Sequence, residues 1–379
     1  EEVRKEVQKV VKFWMGKGVK GFRFDVVNLI SKDRFEDDYE GDGRRFYTDG
    51  PNIHKYLREL NEMTFGTDAE IITVGEMSST SMENCYQYAN EDGKELSMVF
   101  SFHHLKVDFM GNEKWVMVPF DFQKLKHILF DWQTHMAEHH AWNAVFWCNH
   151  DQPRVVSRFG NTEKYWKESA KMLGTVIHCL RGTPYIYQGE ELGMTNAGFT
   201  DISQYKDVES LNHFRILQEK GLTAENAYQV LQIHSRDNSR TPMQWTAGEN
   251  GGFTEGTPWN QVNENCSYIN AEAEQKDPDS IFQYYKKLVQ LRKEYDVIAY
   301  GDVQPLDEKH PTVFAYKRTY QDESLLVVSN FYGTETQWNC GIDLEGWKCI
   351  LSNYQENSLE SSKILLKPYE TMVLYKHEL

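Results

Sequence analysis

Five short apolar runs, each closed by polar or acidic residues and separated by helical stretches, constrain this chain more than any other feature. Gly21-Phe22-Arg23-Phe24-Asp25-Val26-Val27 opens into a loop rich in Asp, Gly and Arg over 33–50. Ile71-Ile72-Thr73-Val74 ends at Gly75-Glu76, and Ser97–Phe102 at His103-His104. Ala144–Trp147 ends at Asn149-His150-Asp151, and Pro184–Tyr187 at Gln188-Gly189-Glu190-Glu191. Helices are expected between and around them, over 1–17, 52–64, 121–139, 164–181 and 280–294. In the first, Val3, Val7, Val10, Val11 and Trp14 share one face, and Gly16 and Gly18 end it. Pro51 stands where a first helical turn accepts proline.

Strand–helix alternation predicts a parallel sheet. In a closed β/α barrel the strand C-termini converge on one mouth, where polar residues gather. A doubly wound open sheet would carry a glycine-rich phosphate loop after its first strand, and none is present. The expected fold class is therefore α/β, a (β/α)8 TIM barrel represented by about strands 4–8. The opening residues read as the middle of a helix without an initiator Met, so the first three strands are expected upstream; a sheet lacking them would expose two edges. Beyond about residue 300 the pattern changes to short strands with turn residues between them, at 312–316, 324–328, 347–351, 364–366 and 372–375. Residues 1–300 thus read as barrel and 301–379 as a C-terminal antiparallel β-sandwich. Trp338, Trp347 and Tyr354 in that sandwich are expected in its core rather than on a binding surface.

The formal net charge of −16 argues against nucleic acid and anionic membrane surfaces as partners. No run of about 18 apolar residues is long enough to span a bilayer, and the charged N-terminus does not read as a signal peptide. The six cysteines are dispersed with no CxxC, as expected of reduced thiols in a cytoplasmic protein. If the substrate were anionic, a local basic cluster would have to override this charge.

A lone Asp at a strand end is most often a turn former or a helix cap. Its surroundings change the reading of Asp25. Arg23, two residues earlier, projects from the same strand face and would hold Asp25 ionised. Glu76 follows an apolar strand beside Met77, where partial burial would raise its pKa. Asp151 ends another strand beside Asn149 and His150. Retaining glycoside hydrolysis needs two such carboxylates, one ionised and one protonated, about 5–5.5 Å apart.

Gly21-Phe22-Arg23-Phe24-Asp25, Val74-Gly75-Glu76-Met77 and Phe146-Trp147-Cys148-Asn149-His150-Asp151 resemble, in order and spacing, three signature regions of the α-amylase superfamily. Arg236–Trp245, and Val26 directly after Asp25, look like its oligo-1,6-glucosidase branch. The resemblance covers nearly the whole chain. It implies Asp25 as nucleophile, Glu76 as general acid/base, and Asp151 as binder of sugar hydroxyls that favours the distorted ring. It implies that Arg23 orients Asp25, that His150 bonds the non-reducing glucose, and that Arg154 and Arg240 line the same subsite. The family's first signature region and its calcium loop have no counterpart here. No cofactor is implied for this segment, and a structural calcium belongs upstream if it is present.

Gly75–Ser81, Phe102–Asp108, Asn149–Arg154 and Arg44–Pro51 look like the trehalose-6-phosphate hydrolase subgroup. A sugar phosphate needs Lys, Arg or His donors at the leaving-group side. His103, Lys106 and Lys114 are the candidates, with surface lysines and a packed His pair as the plainer reading. The resemblance favours a monomer or homodimer. An oligo-1,6-glucosidase or sucrose isomerase is the alternative for a neutral substrate. A non-enzymatic relative is a remoter one, since such proteins lose these carboxylates.

Overall fold

The computed structural model describes residues 1–356, 358–360 and 362–377. The chain divides into two compact units. The first comprises Glu1–Leu105, Ile128–Val145 and Arg181–Thr183. Along it run α1 (Glu2–Gly16), β1 (Gly21–Phe24), α2 (Ile53–Met63), β2 (Ile72–Glu76), α3 (Met82–Tyr88) and β3 (Met98–Phe100). The second half of α4 (Phe122–Glu138), then β4 (Asn143–Val145) and β5 (Thr183–Pro184), complete its sheet. The strands lie in the order β1-β2-β3-β4-β5, with β1–β4 parallel. Each strand neighbours its predecessor, which is the order of a barrel arc; a doubly wound sheet reverses direction at a switch point. In β1 and β2, Phe24 pairs with Gly75, so Asp25 and Glu76 leave adjacent strand ends side by side.

Ile53, Leu57 and Leu60 recur at helical spacing on α2 and are buried with Phe65, Met77, Tyr88 and Val99. Each such side chain contributes about 1.5–3 kcal/mol. On α1 the packed face differs from the expected stripe. Arg4 and Gln8 bond Glu59 of α2 and Val11 is buried, whereas Val3, Val7, Val10 and Trp14 are exposed. Four strands, β1, β3, β4 and β5, are shorter than expected. β1 stops at Phe24 because Val26 adopts a left-handed conformation (φ 37°). β5 stops at Pro184, and the Tyr187 carbonyl then accepts the Glu190 N–H in a turn.

The second unit comprises Lys106–His127, Phe146–Leu180 and Pro184–Leu379. Its helices are α5 (Val155–Phe159), α6 (Trp166–His178), α7 (Val208–Glu219), α8 (Ala224–His234), α9 (Ala271–Lys276), α10 (Ile281–Glu294) and α11 (Asp296–Tyr300). Its strands are β6 (Asp302–Leu306), β7 (Val313–Tyr320), β8 (Glu323–Asn330), β9 (Thr336–Asn339), β10 (Lys348–Ser352), β11 (Ser358–Glu360), β12 (Lys363–Leu366) and β13 (Thr371–His377). They form an antiparallel sheet in the order β10-β13-β8-β7-β6 and a smaller one, β11-β12-β9. Val313, Leu326, Val328 and Leu374 of the larger sheet pack with Trp338, Ile364 and Leu366 of the smaller, as in a sandwich. Trp338 belongs to that core, and Tyr354 donates its hydroxyl to the Pro368 carbonyl. Among the described residues, no helix is long and apolar enough to cross a membrane.

Candidate active site

At the C-terminal ends of β1 and β2, one guanidinium joins two carboxylates. Arg23 Nη1 donates to Asp25 Oδ1 at 2.6 Å, and its Nη2 donates to Glu76 Oε2. The alternation of the strand puts Arg23 and Asp25 on one face, and the register brings Glu76 alongside. The two acids differ in environment. The Asp25 side chain is 71% exposed and that of Glu76 13%. Burial pushes the Glu76 carboxyl up to about 7, helped by its hydrogen bond to Asp25, while the Arg23 charge and the Val26 N–H pull the other way. One carboxyl is thus raised toward neutrality beside another that is paired with an arginine. That is the division of labour retaining glycoside chemistry needs.

The backbone holding this pair has little freedom. A Cβ on Gly75 would lie 2.5 Å from Leu96 Cδ1 and 2.6 Å from Met77 Cε, so a larger residue there would push aside the side chains packed beneath Glu76. Val26 in the left-handed region is a strained, β-branched residue, and such conformations cost about 1–3 kcal/mol.

In the second unit, Asp151 sits in a charge network. Arg240 Nη2 reaches its Oδ1 at 2.6 Å, Arg236 Nη1 reaches the same oxygen at 3.4 Å, and His150 Nε2 lies 3.6 Å from its Oδ2. Arg240 also donates to the His150 carbonyl. Arg236 turns its other edge to Asp207, the N-cap of α7, at 2.5 Å and to Glu209 at 3.2 Å. Burial works to raise the Asp207 carboxyl, but the Arg236 hydrogen bond, the Glu209 N–H and the two arginine charges outweigh it and hold the pKa low. Arg236 and Asp207 escaped sequence reasoning as site residues. The available signal was the Asp207-Val208-Glu209 helix start, but nothing local ties it to Asp151.

Arg154 is placed differently from the sequence expectation. It is 1% exposed, and its guanidinium donates to the carbonyls of Gln188, Asn238 and Ser239 while lying over the Tyr187 ring. Those bonds fasten three loop carbonyls. Of the expected phosphate ligands, His103 belongs to the first unit, where it stacks on Trp132 and shares a hydrogen bond with Ser101. Lys106 and Lys114 belong to the second. Lys114 Nζ is 3.2 Å from Glu209 and lies over the Trp115 ring, and burial pulls its ammonium pKa down against the pull of Glu209. Among the described residues, no group of three His, Cys, Asp or Glu is placed to hold a metal.

Residues 1–301 match the model of the alpha amylase catalytic domain, and 313–373 that of the alpha-amylase SusG C-terminal domain. The chain is 54% identical to a trehalose-6-phosphate hydrolase of Bacillus subtilis, over 98% of this chain and 67% of that protein. It is 45% identical to an oligo-1,6-glucosidase of Bacillus cereus, over 98% and 68%. The crystal structure of Bacillus licheniformis trehalose-6-phosphate hydrolase superposes with a TM-score of 0.96 at 54% identity, covering 100% of this chain and 69% of that one.

Proposed function

The chain belongs to the alpha-amylase family, and from that premise we propose that it is a retaining α-glucosidase hydrolysing trehalose 6-phosphate to glucose and glucose 6-phosphate. The observation that carries the chemistry is the single guanidinium holding both carboxylates, with the Glu76 carboxyl raised to about 7. Asp25 attacks the anomeric carbon as the glycosidic C–O bond breaks, and the departing oxygen takes the Glu76 proton. Glu76, now a carboxylate, removes a proton from water. The water oxygen attacks the same carbon and releases Asp25. Arg23 keeps Asp25 ionised and in place. Asp151, His150 and Arg240 are assigned to sugar hydroxyls, with Arg154 as the scaffold for their loops.

The choice of substrate rests on the 54% identity to a trehalose-6-phosphate hydrolase. His103, Lys106 and Lys114 are the proposed phosphate ligands, with Lys114 exchanging Glu209 for the phosphate. Lys106→Ala is then expected to raise KM for trehalose 6-phosphate about tenfold, while KM for a neutral nitrophenyl glucoside stays put. An equal rise for both would remove Lys106 from the phosphate site. We place the boundary between barrel and sandwich near residue 300, and the enzyme in the cytoplasm as a monomer or homodimer.

The neutral-substrate reading, an oligo-1,6-glucosidase, is favoured by the existing Lys114–Glu209 pair, which already neutralises one of the lysines. Hydrolysis of trehalose 6-phosphate and isomaltose at equal concentration, with Asp25→Asn as control, separates the two. A large preference for the phosphorylated sugar, abolished in the control, supports the first. Preference for isomaltose overturns the phosphate assignment and leaves the carboxylate chemistry intact.

A further inference from the structure

The stretches Arg44–Pro51 and Gly75–Ser81 lie far apart in sequence but meet at one side chain. Asp49 ends the long loop after β1 in a left-handed conformation (φ 49°), with its N–H on the Asn28 carbonyl. Its carboxylate accepts four side-chain hydrogen bonds. Tyr88 Oη at 2.5 Å and Asn28 Nδ2 at 3.1 Å reach Oδ1. Thr80 Oγ1 at 2.7 Å and Asn84 Nδ2 at 3.3 Å reach Oδ2. Asn84 and Tyr88 stand one turn apart on α3, so a single helix face supplies two of the donors. Asn28, Thr80 and Tyr88 are fully buried.

Through Asn28 this cluster reaches the acid. The Asn28 side chain receives the Ser78 N–H and donates to the Ser78 carbonyl, both at 2.9 Å. Ser78 is two residues past Glu76, and Asn28 three past Asp25. Asp49 fixes which way the Asn28 amide faces, and Asn28 fixes the turn after β2. The same turn is held from its outer side by Arg44, whose Nη1 donates to Ser79 Oγ at 3.3 Å. Ser79 itself sits at φ 58°, a conformation it keeps only while neighbours enforce it. The adjoining Gly50 has no room for a side chain, since a Cβ there would lie 2.1 Å from the Ser31 carbonyl oxygen. An aspartate suits this place, because its two oxygens can accept from all four donors that converge on it. An asparagine would turn an NH2 toward two of them.

We infer that Asp49 is a positioning residue for proton transfer by Glu76, acting through Asn28 and Ser78 on the turn that follows the acid. The inference rests on the reading of Glu76 as general acid. A misplacement of about 1 Å can cost on the order of 100-fold in rate. Read as kcat/KM, which reports the first displacement, the loss falls on substrates whose leaving group must be protonated and spares those whose leaving group departs unaided.

The test compares wild type, Asp49→Asn, Thr80→Val and Glu76→Gln on a disaccharide substrate and on an activated dinitrophenyl α-glucoside. Asp49→Asn is expected to lower kcat/KM on the disaccharide at least tenfold. On the activated glucoside the loss shrinks below about twofold, and the basic limb of the pH profile moves. Thr80→Val, which removes one donor, shows the same pattern more weakly. Equal losses on both substrates, or no loss in a folded variant, overturn the proposal. If Glu76→Gln itself is indifferent to the leaving group, the general-acid premise fails and the proposal with it. That result is distinguishable because it is read on Glu76 directly.

Discussion

Glu76 sets the expected pH dependence. It must carry its proton when the glycosidic oxygen departs, and its carboxyl titrates near 7 because burial opposes its charge. The kcat/KM profile should therefore fall as pH rises through about 7. Arg23 opposes the rise, so Arg23→Ala should move this limb to higher pH while lowering the maximum, because Asp25 also loses its partner. A limb that stays in place in the variant would show that Arg23 does not act on Glu76. This much was legible in the sequence: two-residue spacing on a strand puts Arg23 beside Asp25, and an apolar strand running into Glu76 implies burial. Asp49 was not legible as a hub, because its four partners lie 21 to 39 residues away. The burial of Arg154 was not legible either, because side-chain direction at a loop-to-helix junction follows from packing. Three backbone carbonyls converge on it.

At the scale of elements, α7 brings Asp207 and Glu209 to Arg236, and Arg236 passes that contact to Asp151. Asp207 is 3% exposed in its side chain, so removing the guanidinium leaves a buried charge without its main partner. Arg236→Met is expected to destabilise the protein by about 2 kcal/mol and to weaken substrate binding, as read from the denaturation midpoint and KM. Because the folded pKa of Asp207 is depressed, its contribution is present above the unfolded value, about 3.9, and is lost as pH falls through the lower folded value. Asp207→Asn should flatten the stability–pH curve in that acidic window, and an unchanged curve would refute the assignment. α7 was missed in the sequence, whereas α10 was found. α10 buries Ile281, Tyr284, Tyr285 and Leu288 on one face, while α7 buries only Ser210 and Leu217 and shows no comparable stripe. Among the strands, β6 contains Pro305 at a sheet edge, and β9 buries Trp338 alone. Both lack the continuous buried apolar run that marks β7, β8 and β13.

For the molecule as a whole, the second unit joins the sandwich to α6 and α11 through buried polar contacts rather than apolar surface alone. Arg318 on β7 is completely buried and donates to the carbonyls of Cys179, Ile298, Gly301 and Asp302. Tyr316, two residues earlier on the same strand face, gives its hydroxyl to the Val176 carbonyl of α6 at 3.0 Å. Lys126 reaches the Val313 carbonyl from the other end of the strand. A carbonyl left without a donor in such a place costs about 1–3 kcal/mol. Arg318→Met should therefore lower stability by about 3–5 kcal/mol, more than a surface arginine could. The sandwich strands and α6 share these bonds, so they should open together. Hydrogen exchange should show β7, β8, β13 and α6 losing protection by the same free energy in the variant, with the turn after β2 in the first unit unaffected. Loss confined to the strands, with α6 still protected, would mean that the sandwich unfolds by itself and that the buried arginine serves only its own sheet.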